Sequence, residues 1–146
     1  MTELPSKTGM YGHVALWAAI FCGLYLLSLQ GYVLFHSAVE LFSIAVAWDI
    51  FFIAWNSRRL LDNNYLLFLG ISYLFVGSLD LLHTLAYKGM GAFPATKSDL
   101  ASQLWIASRF VQSVSLLIAP LFLGRRLKVH LVVAGFSLVS AALLAS

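Results

Sequence analysis

The sequence predicts an all-α membrane protein, a polytopic transmembrane helical bundle with about five spans. Its 146 residues are 61% hydrophobic and only 10% charged, whereas a soluble domain carries about 25% charged residues. A chain this short has too little interior to bury so many apolar side chains in water. The net charge of +3 does not indicate nucleic-acid binding, because the basic residues lie in short loops between apolar runs.

Five apolar runs approach the length of about 20 residues that crosses a bilayer. Gly31, the polar stretch 56–64, the region 89–94 and Gly124 separate them. No linker is long enough to divide the chain, so we expect one membrane domain over 1–146. The last run ends without a flanking charge, so we expect this domain to be partial, with further helices following it. The predicted spans are 13–29, 35–55, 65–86, 101–123 and 129–145.

The loop Lys and Arg residues predict the orientation of the chain. Cytoplasmic loops carry an excess of these residues. A cytoplasmic N-terminus places six of them inside and two outside, which favours that orientation. The inside residues are Lys7, Arg58, Arg59, Arg125, Arg126 and Lys128, and the outside residues are Lys88 and Lys97.

The second, third and fourth predicted spans contain six ionisable residues, each of which costs roughly 2.5–3.5 kcal/mol at the bilayer centre. Five of them form the candidate site, and the sixth, Asp49, lies apart in the inner half of the bilayer. His36 and Glu40 are four residues apart, and Asp80 and His83 are three apart, so each pair shares a helix face. With the N-terminus inside, both pairs and Arg109 lie in the outer half of the bilayer. These faces are expected to point into the bundle, away from lipid.

The histidines and carboxylates of this set are suited to a divalent transition metal such as zinc, iron or manganese. The predicted ligands are His36, Glu40, Asp80 and His83. Copper(I) is less favoured because it prefers thiolates, and Cys22 lies on a different predicted helix.

The same residues also suit a pocket for a small ligand, with Arg109 as a charge partner or anion-binding group and Trp105 beside it. The alternative is a structural network without a ligand, in which Arg109 pairs with Glu40 or Asp80. Neighbouring side chains able to supply hydrogen bonds are Ser37, Ser43, Tyr73, Ser108, Gln112 and Ser113.

Three segments resemble the third class of bacterial membrane-associated sensor (MASE) domains. The resemblance covers about residues 32–126, and its polar positions match the five ionisable residues above. Such domains precede histidine kinases and diguanylate cyclases. The segments are LFHSAVELFSIAVAWDIFFIAWNSRR, NNYLLFLGISYLFVGSLDLLHTLAYKGMGAF and QLWIASRFVQSVSLLIAPLFLGRR.

The resemblance implies a multi-pass input module of the bacterial inner membrane, acting in two-component or cyclic di-GMP signalling. Its implied partners are the lipid bilayer, a small ligand or ion, a C-terminal cytoplasmic kinase or cyclase domain and a second copy in a homodimer. The alternatives are a metal- or haem-binding redox module, with His36 and His83 as axial ligands, and a transporter fragment. The sequence contains no HExxH, P-loop or GxSxG motif, so we do not expect an autonomous enzyme.

Overall fold

The computed structural model describes residues 7–60, 64–88, 90 and 99–145. These residues form helices and no strand, which confirms the predicted all-α bundle. Long apolar runs become helices in a bilayer because a helix satisfies its own backbone hydrogen bonds. The helices are α1 (Lys7–Gln30), α2 (Tyr32–Ser57), α3 (Tyr65–Ala86), α4 (Leu100–Ile118) and α5 (Val129–Ala145), with a 3-10 segment at Ala119–Phe122.

Four helical stretches of the described chain are long and apolar enough to cross a membrane. The fourth combines α4 with the 3-10 segment. Helix α5, where a fifth span was predicted, has 17 residues, which is the lower end of the spanning range. The four stretches are Tyr11–Gln30, Tyr32–Ser57, Tyr65–Ala86 and Leu100–Phe122.

The chain divides into two compact units, Met1–Ala38 and Val39–Ser146. The described part of the first unit is α1 and the first turns of α2. Gly31 separates these helices with a φ of 139°, a conformation that glycine adopts without steric cost. On α2, the ring of Tyr32 stacks on that of His36 with centroids 5.6 Å apart.

The second unit is built around α3, which packs against α4, α5 and the 3-10 segment. Half of the spanning window of α3 is buried. The hydrophobic core of this unit joins Val76 and Leu79 of α3 to Leu104 and Val111 of α4. Helix α3 is therefore placed to contact polar groups on more than one neighbour.

Helices α2 and α3 approach closely at two glycines of α3. A Cβ added to Gly70 would lie 2.4 Å from Ala54 Cβ, and one added to Gly77 would lie 3.2 Å from Ala47 Cβ and 2.9 Å from the Trp48 ring. Small residues allow helix backbones to approach in this way. Seven residues forward along α3, from Gly70 to Gly77, correspond to seven residues backward along α2, from Ala54 to Ala47. Helices α2 and α3 are therefore antiparallel over this stretch.

The end of α4 and helix α5 pack on the other side of α3. Helix α4 changes to 3-10 geometry at Ala119, one residue before Pro120, which cannot donate a backbone hydrogen bond. The ring of Phe68 stacks on that of Phe122 at 4.6 Å. The ring of Phe136 lies 5.7 Å from Phe68 and 5.6 Å from Phe75, so aromatic contacts hold α5 against α3.

Candidate functional site

Glu40 and His83 are brought together by the antiparallel contact of α2 and α3. Ala54 faces Gly70 and Ala47 faces Gly77, so one further step of seven residues places residue 40 opposite residue 84. In the structure, potential ligand atoms of Glu40 and His83 lie within 4.8 Å of each other. Two ligands of one zinc ion lie roughly 3.4 Å apart, given bonds of about 2.1 Å in a tetrahedron. The pair is therefore close to a metal-binding separation.

The ring of His83 is oriented by α4. Its Nδ1 lies 2.7 Å from the backbone oxygen of Ala101. Because a carbonyl oxygen only accepts, Nδ1 donates, and in the neutral ring Nε2 carries the lone pair. Metal-ligating histidines commonly use one nitrogen in this way to fix the ring while the other binds the metal. His83 is 6% exposed, so this orientation is held inside the protein.

His36 lies on the part of α2 that belongs to the first unit, and it is half-buried. It precedes Glu40 by one turn, and α2 continues without a break through both residues. Residues four apart on a helix lie on one face. Helix geometry thus gives His36 and Glu40 the same side of α2.

Asp80 pairs with Arg109 across the contact of α3 and α4. Arg109 Nη2 donates to Asp80 Oδ2. The Asp80 side chain is 5% exposed and that of Arg109 is 39% exposed, so the carboxylate is shielded and the guanidinium reaches the surface of the described structure. This pairing neutralises the carboxylate at membrane depth, where a lone charge is costly.

Arg109 is also held by its neighbours on α4. Its Nη1 donates to Gln112 Oε1 at 2.7 Å, and its Nη2 donates to Ser108 Oγ at 3.2 Å. Gln112 Nε2 in turn donates to the Tyr73 hydroxyl at 3.2 Å, which returns the network to α3. The ion pair therefore belongs to a hydrogen-bonded network spanning two helices.

A cavity of about 270 Å³ opens beside this network, between α2, α3 and α4. Among the described residues, Asp80 Oδ1 and Arg109 Nε are buried and have no hydrogen-bond partner. The cavity thus offers an acceptor-bearing and a donor-bearing residue on one wall. Its lining includes Phe42, Ser43, Val46, Tyr73, Asp80 and Arg109.

The structure places the predicted site residues in two groups and leaves Trp105 outside both. Glu40 and His83 form a potential metal-binding pair, with His36 one turn away on α2. Asp80 is joined to Arg109 and is not in the metal-binding group. Trp105 is 47% exposed and does not line the cavity. Metal ligation by Asp80 and ligand binding by Trp105 remain predictions.

Sequence reasoning missed two features of the site. The backbone oxygen of Ala101, which orients His83, has no side-chain signature. The cavity wall on α2 consists largely of apolar residues that resemble any other membrane-facing stretch. The seven-residue spacing of Gly70 and Gly77, matched by Ala47 and Ala54, was the available signal for the alignment of α2 with α3.

These features define a helical membrane protein with ionisable groups held inside its spanning segments, an arrangement typical of functional sites in membranes. Residues 27–146 match the family model of the membrane-associated sensor domain MASE3. Because this match covers most of the chain, the chain belongs to the MASE3 family of membrane-associated sensor domains. No curated protein and no solved structure matches it.

Proposed function

We propose that this sensor domain is a signal-input module whose stimulus is a divalent transition metal. The proposed ligands are Glu40, His83 and His36, with zinc, iron or manganese as the metal. The observation that carries the proposal is the Glu40–His83 separation of at most 4.8 Å, with His83 already oriented by a carbonyl. His36 follows from its place one turn before Glu40 on the same helix.

The donor set suits such an ion. Two imidazoles and one carboxylate are a common three-ligand set for zinc, and they leave a fourth position open for water or another ligand. The ligands contribute one negative charge, which reduces the charge of a divalent ion. The nearby Asp80–Arg109 pair adds no net charge. A bound metal would therefore stay within one unit of neutrality at membrane depth.

We propose an N-terminus in the cytoplasm of a bacterial cell, which places the metal ligands in the outer half of the inner membrane. Metal binding would favour one packing of α2 against α3 and α4, and that bias would reach the cytoplasmic ends of the helices. The proposed partner there is a histidine kinase or diguanylate cyclase domain, with two copies signalling as a dimer.

Metal titration of the purified 146-residue chain tests the site. We expect about one equivalent of zinc to bind, and we expect Glu40→Ala, His83→Ala and His36→Ala each to weaken binding about ten-fold or more, because each removes a direct ligand. His130→Ala is the matched control, since His130 is exposed on α5. Absence of zinc, iron and manganese binding, or equal affinities in all variants, would overturn the metal proposal.

The relay is tested separately with the chain joined to a diguanylate cyclase domain. We expect added metal to change cyclic di-GMP formation in the wild type and to have no effect in Glu40→Ala. Metal binding without any change in output would contradict the relay and leave the metal site in place.

A further inference from the structure

The cavity beside Asp80 and Arg109 is a second polar feature, built from different residues than the Glu40–His83 pair. It lies wholly within the second unit and has a volume of about 270 Å³. Asp80 and Arg109 provide its charged wall, and Phe42 and Val46 of α2 are part of its apolar wall. A ligand for this space must match both surfaces.

In the part of the chain that the structure describes, Asp80 and Arg109, which line the charged wall, each have one polar atom without a hydrogen-bond partner. Within the described residues, Asp80 Oδ1 and Arg109 Nε are buried without a hydrogen-bond partner, and Asp80 is only 4% exposed. Buried polar atoms in native proteins are nearly always hydrogen-bonded. A single hydroxyl group offers a donor for the Asp80 carboxylate and an acceptor for the Arg109 guanidinium.

The surroundings favour a neutral ligand that arrives through the bilayer. Asp80 and Arg109 already neutralise each other, so a charged ligand would add an uncompensated charge inside a spanning segment. Phe42 and Val46 are 71% and 42% exposed, so the α2 side of the cavity is apolar and reaches the surface of the described structure. Lateral entry from the lipid is therefore open to an apolar molecule.

The size and the aromatic walls favour a single ring. An apolar cavity of roughly 150 Å³ accommodates benzene, so about 270 Å³ has room for a substituted ring. Phe42 and Tyr73 line the space and can pack against such a ring in offset or edge-to-face geometry.

We infer that this cavity binds a neutral, lipid-soluble phenol, a class that includes hydroquinones, through a hydroxyl that is hydrogen-bonded to the Asp80–Arg109 pair. The inference deepens the proposed sensor function by naming a second ligand class, and it uses none of the proposed metal ligands. It also gives the site selectivity. A molecule with only a carbonyl or ether oxygen can accept from the guanidinium but has no hydrogen to donate to the Asp80 carboxylate.

The test uses the 146-residue chain in lipid nanodiscs with 4-hexylphenol and its methyl ether, 4-hexylanisole, as probes. Empty nanodiscs correct for partition into lipid. We expect the phenol to bind about ten-fold or more tightly than the ether, because the ether cannot donate to the Asp80 carboxylate. Val46→Phe, which fills the cavity, is expected to reduce phenol affinity about ten-fold or more. Leu41→Phe is the control, because Leu41 is 50% exposed and does not line the cavity.

Equal affinity for phenol and ether, phenol uptake no greater than that of empty nanodiscs, or unchanged phenol affinity in Val46→Phe would each overturn the inference. Zinc titration of the same samples separates the two proposals. Retained zinc binding without phenol binding overturns the phenol site alone, and phenol binding without zinc binding overturns the metal site alone. If Val46→Phe does not fold, the phenol–ether comparison in the wild type still decides.

Discussion

At the scale of single residues, two buried ionisable side chains of α3, Asp80 and His83, each have a partner on α4. Asp80 is buried, and its charge is met by Arg109 from the next helix. His83 is buried, and its ring is oriented by a backbone oxygen of that same helix. Because a buried charge without a partner is far more costly than a paired one, the Asp80–Arg109 pair should be sensitive to loss of either member.

Arg109→Gln tests this sensitivity. We expect it to lower the free energy of unfolding in detergent micelles by about 3 kcal/mol, because the buried Asp80 carboxyl group loses its ion-pair partner. The double variant Asp80→Asn with Arg109→Gln should recover much of that loss by replacing the ion pair with two neutral amides. Arg126→Gln is the control, since Arg126 is exposed. Equal stability of Arg109→Gln and Arg126→Gln would contradict the structural importance of the pair.

At the scale of helices, the site depends on how α2 and α3 are aligned. Gly70 and Gly77 set that alignment because any side chain there would meet Ala54 or Trp48. The same alignment puts Glu40 beside His83. The small residues Gly70 and Gly77 in α3 therefore help to bring Glu40 next to His83, near the C-terminal end of α3.

Gly70→Ala tests this contact between helices. The added Cβ would lie 2.4 Å from Ala54 Cβ, and this carbon moves only with its backbone. The helices must therefore separate. We expect a loss of about 1–3 kcal/mol in unfolding free energy, as for other overpacked interiors, together with weaker zinc binding at the Glu40–His83 pair.

Gly135→Ala is the matched control because nothing lies within 4 Å of its added Cβ. In a helix, alanine is more favourable than glycine by up to about 1 kcal/mol, so this control should be neutral or slightly stabilising. A stable Gly70→Ala variant with unchanged zinc affinity would show that the α2–α3 approach does not hold the site.

At the scale of the whole molecule, the chain is a membrane-associated sensor domain whose described helices include four candidate spans. The proposed sensing direction requires a defined orientation, with the metal ligands away from the cytoplasm. Leu60, after α2, and Lys88, after α3, lie at opposite ends of α3 and are both exposed. They are suitable positions for measuring that orientation.

Cysteine labelling with a membrane-impermeant maleimide tests the orientation in a Cys22→Ser background. We expect Lys88→Cys to react in intact cells and Leu60→Cys to react only after permeabilisation, because the loop Lys and Arg residues favour a cytoplasmic N-terminus. The unmodified Cys22→Ser protein serves as the blank. The opposite labelling pattern would place the metal ligands in the inner half of the membrane and contradict the proposed direction of sensing.

Much of the architecture could be predicted from local properties of the sequence. Apolar runs of spanning length predicted the helices, because both the length of a run and its hydropathy are contained in the run itself. The limits of α3, Tyr65–Ala86, agree with the predicted span 65–86. The end of α4 at Ile118 could not be predicted from hydropathy, because the chain remains apolar through the 3-10 segment beside Pro120.

The sequence by itself determined that this is a helical membrane protein with ionisable residues inside its spans, because composition and spacing are properties of the chain alone. Only the tertiary structure decided that Arg109 meets Asp80, and that Glu40 lies near His83. Such pairings depend on the rotation and relative shift of neighbouring helices, which the hydropathy of each helix does not specify. For α2 and α3, the close contacts at Gly70 and Gly77 accompany the alignment that brings Glu40 near His83.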